Sequence, residues 1–510
     1  MSLHAPAELW TRAVAAAADR HTMDVLGVAS PVLMERAALA CAAAIARVRA
    51  GRPVYVLCGP GNNGGDGAAI ARILHGRGVA VHLHRLAERE GEATTRQIEL
   101  ARAHGVTIVR GLPTLAGPAL VVDAMLGTGA APPLREPYLA AVAWTNAAEA
   151  TRVAVDLPTG IDADIGAVPG PAVRADLTVT FQRSKPGLHL TPARAYVGEL
   201  VVADIGLIGA CDPTDRGGDD ASGGAKLRLI GPDEVRAWLA ALPPGSHKGQ
   251  RGHVGVVGGS AGTPGAAVLA GATALRAGAG LVTIASGDAE VQAQLLAHRP
   301  ELMVVDRVQP PVPRADALVV GPGLTRASDR VGLADLYASD PRPAVWDASA
   351  LAEIVGPATG GPRVLTPHPA EAARLLSLRT GRPWTTAQVQ ADRLAAARAV
   401  AACTGAIAVL KGEGSVVADA RRAAIAVSGG PALATAGTGD CLAGLIGALL
   451  ARGLDPWAAA CVGVHLHGVA GDLLAAERRG AVALDLADAI GRALADTPMS
   501  HPRWPALYLG

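Results

Sequence analysis

Two short glycine-rich segments hold the residues best placed to do chemistry: GNNGGDG at Gly61 to Gly67 and GTGD at Gly437 to Asp440. Each lies between an apolar, strand-like run and an alanine-rich helical run. A helix start of this kind offers unpaired backbone N–H groups and the positive end of a dipole, so it suits a phosphate-bearing ligand. In the first segment Asn62, Asn63 and Asp66 add more polar groups than a tight turn requires. In the second, three backbone amides are expected to point at one spot, an anion hole, with Asp440 beside it to take a proton. The simpler reading of GTGD is a helix capped by Thr438 or Asp440.

Aspartates recur at strand ends. VDAMLGTG sets Asp123 before Gly127 and Gly129, and VDLPTGIDADIG sets Asp156 before Thr159 and Asp162. Two such carboxylates beside a phosphate-type loop would repel each other, so a cation between them or a raised pKa on one is expected. The Asn63 amide, Asp123 carboxylate and Thr159 hydroxyl are hard oxygen donors, suited to an alkali or alkaline-earth ion rather than zinc. Further loop motifs at strand ends are GPGL at Gly321, TPHPAEAARLL around His368, LKGEGS at Lys411 and HKG at His247.

The elements that must position these groups follow from the pattern. Of the 510 residues half are apolar, with one Phe and five Tyr, so the core is expected to be Ala, Val, Leu and Ile in buried parallel strands covered by helices. Strand and helix patterns alternate through PVYVLCG, VAVHLHRL, VTIV, ALVVDAMLG, RVAVDLP, DLTVTF and ELVVADIG. That predicts a doubly wound α/β domain with its ligand crevice at the carboxyl ends of the strands. GNNGGDG is read as a loop and the following helix as Ala68 to His75. The segment 211–226, rich in Gly, Asp and Ser, is the expected linker between a first domain, 1–210, and a second, 227–510. The second repeats the α/β class, with a hairpin at SVVAD/AAIAVSG and three helices starting near Asp440, Pro456 and Asp485.

A net charge of +1 implies no field for nucleic acid or an anionic membrane surface. The apolar runs are too short or too broken to predict a membrane span, and no secretion signal is evident. Six scattered Cys without CxxC spacing are read as reduced, in a cytoplasmic protein. The HLH pairs, His82 with His84 and His465 with His467, are expected to pack or face solvent.

The order LMERAA, GNNGGDG, VDAMLGTG, DLPTGIDADIG, TVTF and KPGL resembles the NAD(P)H-hydrate epimerase family over roughly the first 210 residues. Ala38 and Thr159 depart from its common Gly and Ser. The resemblance implies a Rossmann-like fold in which Asn62, Asn63, Gly64, Gly65 and Asp66, with Gly127, Thr128, Gly129, Ala130, Ala131, Pro132 and Pro133, hold the hydrated dinucleotide. It makes Asp156 the catalytic acid/base, itself in contact with substrate, and Asn63, Asp123 and Thr159 the potassium ligands.

From Leu229 to Leu494 the motifs HKGQRGHVGVVGGS, DALVVGPGL, HPAEAARLL, LKGEGS and ATAGTGDCLAGLIGALL resemble the ADP-dependent NAD(P)H-hydrate dehydratases of the ribokinase-like superfamily, with Cys441 and Ala370 as small departures. By resemblance Ala266, Gly323, His368 and Asp440 contact the hydrated nicotinamide nucleotide, and Lys411, Gly412, Glu413, Gly414, Ser415 and Gly439 bind the adenine nucleotide, with Mg2+ in the same site. Asp440 is then the base. The expected partners are the small molecules NADHX, NADPHX and ADP, and the expected assembly is a symmetric homo-oligomer. A vitamin or sugar kinase and a non-catalytic binding module are the competing readings; a dehydrogenase is disfavoured because the first loop is not GxGxxG.

Overall fold

The computed structural model describes residues 6–130, 132–209, 226–239, 247–289, 292–293, 299–308, 311–477, 480–495 and 505–509. The expected linker, apart from Lys226, and Ala131 lie outside the described residues. The chain divides into two compact units, Met1–Gly224 with Pro502–Gly510, and Ala225–His501. The sequence expectation ran the second domain to residue 510, whereas the contacts group the C-terminal residues with the first unit.

The first unit is built on a sheet of eight strands. In spatial order they are Ala506–Leu509, Glu199–Asp204, Leu177–Phe181, Ala150–Val155, Ala119–Ala124, Val54–Cys58, Val81–Arg85 and Thr107–Arg110. All pair in parallel. The strand order reverses between Val54–Cys58 and Ala119–Ala124, which opens a crevice at their carboxyl ends. The core here is aliphatic, with Ile45, Val56, Leu83, Val122 and Val155 fully buried between helices such as Ser30–Val48 and the sheet.

One boundary differs from expectation. The helix spans Asn62–Gly76, so the glycine segment forms its first turns instead of a loop before it. The reason is close approach: a Cβ at Gly64 would lie 2.0 Å from the Gly59 carbonyl oxygen, and one at Gly67 2.5 Å from the Ala124 Cβ. Only glycines let a helix start directly on the strand ends.

The second unit carries ten strands, in the order Met303–Asp306, Leu281–Ser286, His253–Val257, Ala317–Val320, Ala344–Trp346, Arg363–Leu365, Ile407–Leu410, Val416–Ala418, Arg422–Ala426 and Lys226–Ile230. Pairing is parallel except around Val416–Ala418, which is antiparallel to both neighbours and forms the expected hairpin with Arg422–Ala426. Helices Thr438–Ala451, Pro456–Glu477 and Ala483–Ala495 follow, close to the starts read from sequence. Pro456–Glu477 is the one described helix long and apolar enough to cross a membrane, and it is mostly buried in this unit. It packs against Thr438–Ala451 as a core helix, which its all-round apolar character suits.

Candidate active sites

In the first unit the Asn62–Gly76 helix begins at Gly61 with no side-chain cap, and among the described residues the amides of Asn62 and Asn63 find no acceptor. Three predicted residues converge next to it. An added Cβ at Gly127 would lie 3.1 Å from Asp156 Oδ2 and 3.3 Å from Asn63 Cγ, so the two polar side chains meet over the Gly127 backbone. Asn63 is buried, yet neither its Oδ1 nor its Nδ2 has a hydrogen-bond partner among the described residues. A buried amide left in that state is costly, and a ligand or ion is the natural partner.

Asp123, in register with Leu57 on the neighbouring strand, is fully buried. Its Oδ1 accepts from the Thr159 hydroxyl at 2.7 Å and its Oδ2 from the Thr159 amide at 2.8 Å. Burial pushes its pKa up to about 6, although those hydrogen bonds pull the other way. Thr159 and Asp123 therefore sit together, as the potassium reading requires. Asn63, whose carbonyl oxygen is partnerless among the described residues, is a further hard donor in the crevice, beside Gly127 and Asp156.

Asp156 occupies a left-handed backbone conformation, φ +68°, at the end of its strand. Such a conformation is uncommon for a non-glycine residue and aims the side chain back over the crevice. Its Oδ1 accepts from Lys185 Nζ at 2.9 Å and from the Thr180 hydroxyl at 3.3 Å, and its Oδ2 accepts from the Thr128 amide at 3.1 Å. Burial alone would raise the Asp156 pKa; the Lys185 charge and these hydrogen bonds outweigh it and hold the carboxyl below its ordinary range. Asp66 goes the other way, pushed well above the carboxylate range by burial and by the nearby Asp156 and Asp19 charges. Two carboxyls of one crevice are thus pushed in opposite directions, the arrangement that separates an acid from a base. Of the remaining predicted contacts, Gly129 and Pro133 are exposed and Ala130 donates its amide to the Gly127 carbonyl within a turn.

Lys185 was not singled out from sequence. It is buried and also donates to Thr180 Oγ1 and the Phe181 carbonyl. The available signal was its place in KPGL directly after the TVTF strand, since a lysine so close to a strand's carboxyl end falls at the ligand crevice.

In the second unit the helix Thr438–Ala451 begins at Gly437, φ +90°, without a side-chain cap. The capping alternative fails because the Thr438 hydroxyl turns back to the Leu433 and Thr435 carbonyls, both at 2.9 Å. Three free amides were expected. The Thr438 amide bonds the Thr435 carbonyl and the Cys441 amide the Gly437 carbonyl, which leaves two, Gly439 and Asp440, with no acceptor among the described residues.

Lys411 comes to the same place: a Cβ on Gly439 would lie 3.1 Å from its Nζ. The ammonium is held by Asp347 Oδ1 at 2.8 Å and lies 3.9 Å from Glu371 Oε2. Asp347 is itself buried and accepts from the Thr366 hydroxyl at 2.8 Å. Burial, with the charges of Asp347 and Glu371, raises the Asp440 pKa to about 7, against the opposing pull of Lys411. Asp347 and Glu371 had no place in the sequence reading. Glu371 follows His368 by three residues, and the pair form a capping box in which His368 Nδ1 accepts from the Ala370 and Glu371 amides. That occupies Nδ1 of His368 structurally; Nε2 lies 3.5 Å from Glu371 Oε1, and the ring is half exposed.

Around this centre the other predicted residues gather in two groups. The loop Lys411 to Ser415 is clamped by the buried Arg393, which donates to the Glu413 carbonyl at 2.6 Å and the Leu410 carbonyl at 3.3 Å. Gly412, φ +146°, has its side-chain position filled by that guanidinium. The Ser415 hydroxyl donates to the Gly412 carbonyl at 2.8 Å, and Gly414 is also left-handed at φ +68°. On the other side Gly323 and Ala266 touch, 3.2 Å between an added Gly323 Cβ and the Ala266 Cβ. One turn along the same helix Leu269 packs under Gly437.

The models of two families match the chain: the YjeF-related protein N-terminus over residues 30–187 and NAD(P)H-hydrate dehydratase over residues 254–492. Over most of its length the chain is similar to the bifunctional NAD(P)H-hydrate repair enzyme Nnr of Escherichia coli (strain K12), at 38% identity over 93% of this chain and 91% of that protein. Its similarity to the Moorella thermoacetica enzyme of the same name is also 38%, covering 92% of this chain and 93% of the other. Among solved structures, the ADP/ATP-dependent NAD(P)H-hydrate dehydratase of Bacillus subtilis, co-crystallised with ATP/Mg2+, matches 53% of this chain and 98% of its own at 31% identity, with a TM-score of 0.49. With two carboxylate-bearing crevices in one polypeptide and relatives that span it nearly end to end, the chain belongs to the family of bifunctional NAD(P)H-hydrate repair enzymes.

Proposed function

We propose that this protein returns hydrated nicotinamide nucleotides to use: the first unit interconverts R- and S-NAD(P)HX, and the second dehydrates the S epimer to NAD(P)H at the expense of ADP, releasing AMP and phosphate. The observation that carries the second half is the helix start at Thr438, where two amides without acceptors, the Lys411 ammonium and the Asp440 carboxyl meet. Hydroxide is a poor leaving group and phosphate a good one. Asp440 takes the proton of the C6 hydroxyl as that oxygen bonds to the β-phosphorus of ADP, and AMP departs. The ring nitrogen lone pair then expels phosphate, and loss of a proton from the adjacent ring carbon restores the dihydropyridine. The Gly439 and Asp440 amides and Lys411 hold the transferring group, while the loop Lys411 to Ser415 holds the rest of the nucleotide. Ala266, Gly323 and His368 face the nicotinamide side. Mg2+ would arrive with the nucleotide phosphates and be met by Glu371 and Asp440; ions of this kind need only one or two carboxylates, and the described residues contain no cluster of three His, Cys, Asp or Glu side chains for a metal.

In the first unit Asp156 is the acid/base at C6, kept charged by Lys185, and the amides and side chains from Asn62 to Asp66, with Gly127 to Pro133, bind the dinucleotide. Potassium, held by Asn63, Asp123 and Thr159, would supply fixed positive charge beside those carboxylates. The epimerase then occupies 1–210 and the dehydratase follows the linker, 211–226. The buried, unpaired Cys41, Cys58, Cys441 and Cys461 suit a reducing cytoplasm, where we place the enzyme as a symmetric oligomer acting on small molecules.

The test is a coupled assay on a mixture of R and S hydrates with and without ADP. Dihydronicotinamide absorbance should return only with ADP and should continue beyond the S share, after spontaneous epimerisation is subtracted. Recovery that stops at the S share would refute the first activity, and recovery indifferent to ADP would refute the second.

A further inference from the structure

The second HLH pair lies on the core helix Pro456–Glu477, where both histidines are buried and where sequence reasoning gave them no work beyond packing. His467 does something particular. Its Nε2 lies 2.8 Å from the carbonyl oxygen of Thr438. A carbonyl only accepts, so Nε2 carries the proton and the ring donates. The Thr438 carbonyl is one end of the peptide unit whose other end is the Gly439 N–H, one of the two free amides of the anion hole. As the first residue of its helix, Thr438 has a carbonyl whose second lone pair remains open after the helix takes the first, and the imidazole fills it.

We infer that His467 is a positioning residue for phosphoryl transfer, acting through the Thr438–Gly439 peptide to hold and polarise the Gly439 N–H. Two effects combine. The bond fixes the rotation of the peptide plane, which sets where the N–H points. It also withdraws electron density from the carbonyl, which makes the same peptide a stronger donor at nitrogen. The brace is a neutral one: burial, helped by the neighbouring Lys411 charge and opposed by the Thr438 bond, lowers the His467 pKa to about 4. Its donor is therefore present at every pH at which the enzyme works, and no second positive charge is brought up against Lys411. Glycine at 439 adds to the need for bracing, since it cannot use a side chain to hold its own peptide, and any Cβ there would press on the Lys411 ammonium.

This inference rests on the reading of the Thr438 helix start as the phosphoryl site, so the experiment includes Asp440→Asn as reference. ADP-dependent dehydration of S-NADHX is measured for the full chain carrying His467→Leu, His467→Asn and His467→Gln, with a thermal melt of each. Leu has no donor, Asn is too short to reach the Thr438 oxygen, and Gln keeps an N–H at about the reach of Nε2. Loss of one donor to an oxyanion costs about 100- to 1,000-fold, and loss of its support should cost about 10- to 100-fold in kcat. The expected result is that loss for Leu and Asn with KM for the hydrate unchanged, recovery of most of kcat by Gln, and an unaltered pH profile in the Gln variant. Should Leu fail to fold, the comparison of Asn with Gln decides. Wild-type kcat in the Asn variant, or equal loss in Asn and Gln, would overturn the role of His467 while Asp440→Asn stays inactive. If Asp440→Asn is fully active, the reading of the site is wrong and the inference falls with it.

Discussion

Replacing Asp347 by Asn separates the charge on that residue from its hydrogen bond. Asn retains an oxygen for Lys411 Nζ, now 2.8 Å from the carboxylate, and Glu371 at 3.9 Å still faces the ammonium. What disappears is one negative charge that, after burial, is the chief cause of the rise of Asp440 from its ordinary 3.8 to about 7. A base must be ionised to act, so in the wild type kcat/KM for the hydrate should fall tenfold per pH unit below about 7, and at pH 6 only about a tenth of Asp440 is ready. This profile is the appropriate one because kcat/KM reports the free enzyme, the state described here. Removing a like charge favours the ionised form, so the limb should move to lower pH, by roughly one unit for a partly screened neighbour. The assay is the initial rate of absorbance recovery with S-hydrate and ADP both well below their KM values, from about pH 5.5 to 8.5. A limb that stays put in Asp347→Asn, or shifts toward alkaline pH, would refute Asp440 as the titrating base.

Asp156→Asn should abolish R/S equilibration, by about 100- to 10,000-fold if the group moves the proton, with ADP-dependent dehydration of the pure S epimer unchanged; chiral separation of the hydrates over time reports it. Lys185→Met should take away the charge that holds Asp156 ionised, so the epimerase optimum should move to higher pH, seen in its pH–rate profile. Gly67→Ala should destabilise the protein by about 1–3 kcal/mol through overpacking against Ala124 and Cys58, measured as a lowered midpoint in urea for the first-unit transition. Arg393→Gln should raise KM for ADP more than it lowers kcat, because the Gly412–Ser415 loop loses its clamp.

What the sequence disclosed was whatever depends on local pattern. Aliphatic runs such as ALVVDA and VYVLC gave parallel strands because both faces are covered, and glycine with an acidic residue at a strand end marked each crevice. Asp123 and Thr159, far apart in sequence, do meet, and Asn63 comes beside Asp156 over Gly127, since their strand ends flank the point where the order reverses. Illegible were the groups whose purpose is fixed by a distant partner. Nothing near Lys185 announces that its ammonium will reach Asp156, and Asp347, in WDASA, gains meaning only from Lys411, 64 residues on. The His467 bond to Thr438 was hidden for the same cause: 29 residues separate the two, and helical periodicity marks His467 only as core-facing, which it is. The helix start at Asn62 was misplaced because propensity treats glycine as a breaker, whereas packing against Gly59 and Ala124 demands it.

The last described strand, Ala506–Leu509, lies in parallel beside Glu199–Asp204, with Ala506 opposite Val201. The polypeptide thus leaves the first sheet, builds the whole second unit, and returns to finish what it left. A gene cut after residue 209 would yield a first unit whose Glu199–Asp204 strand has bare N–H and C=O groups along one side, an invitation to pair with other molecules. Engineers who want that half alone should graft the final nine residues back behind a flexible tether, and the solubility of the grafted version against the simple cut would gauge how much the returning strand shields.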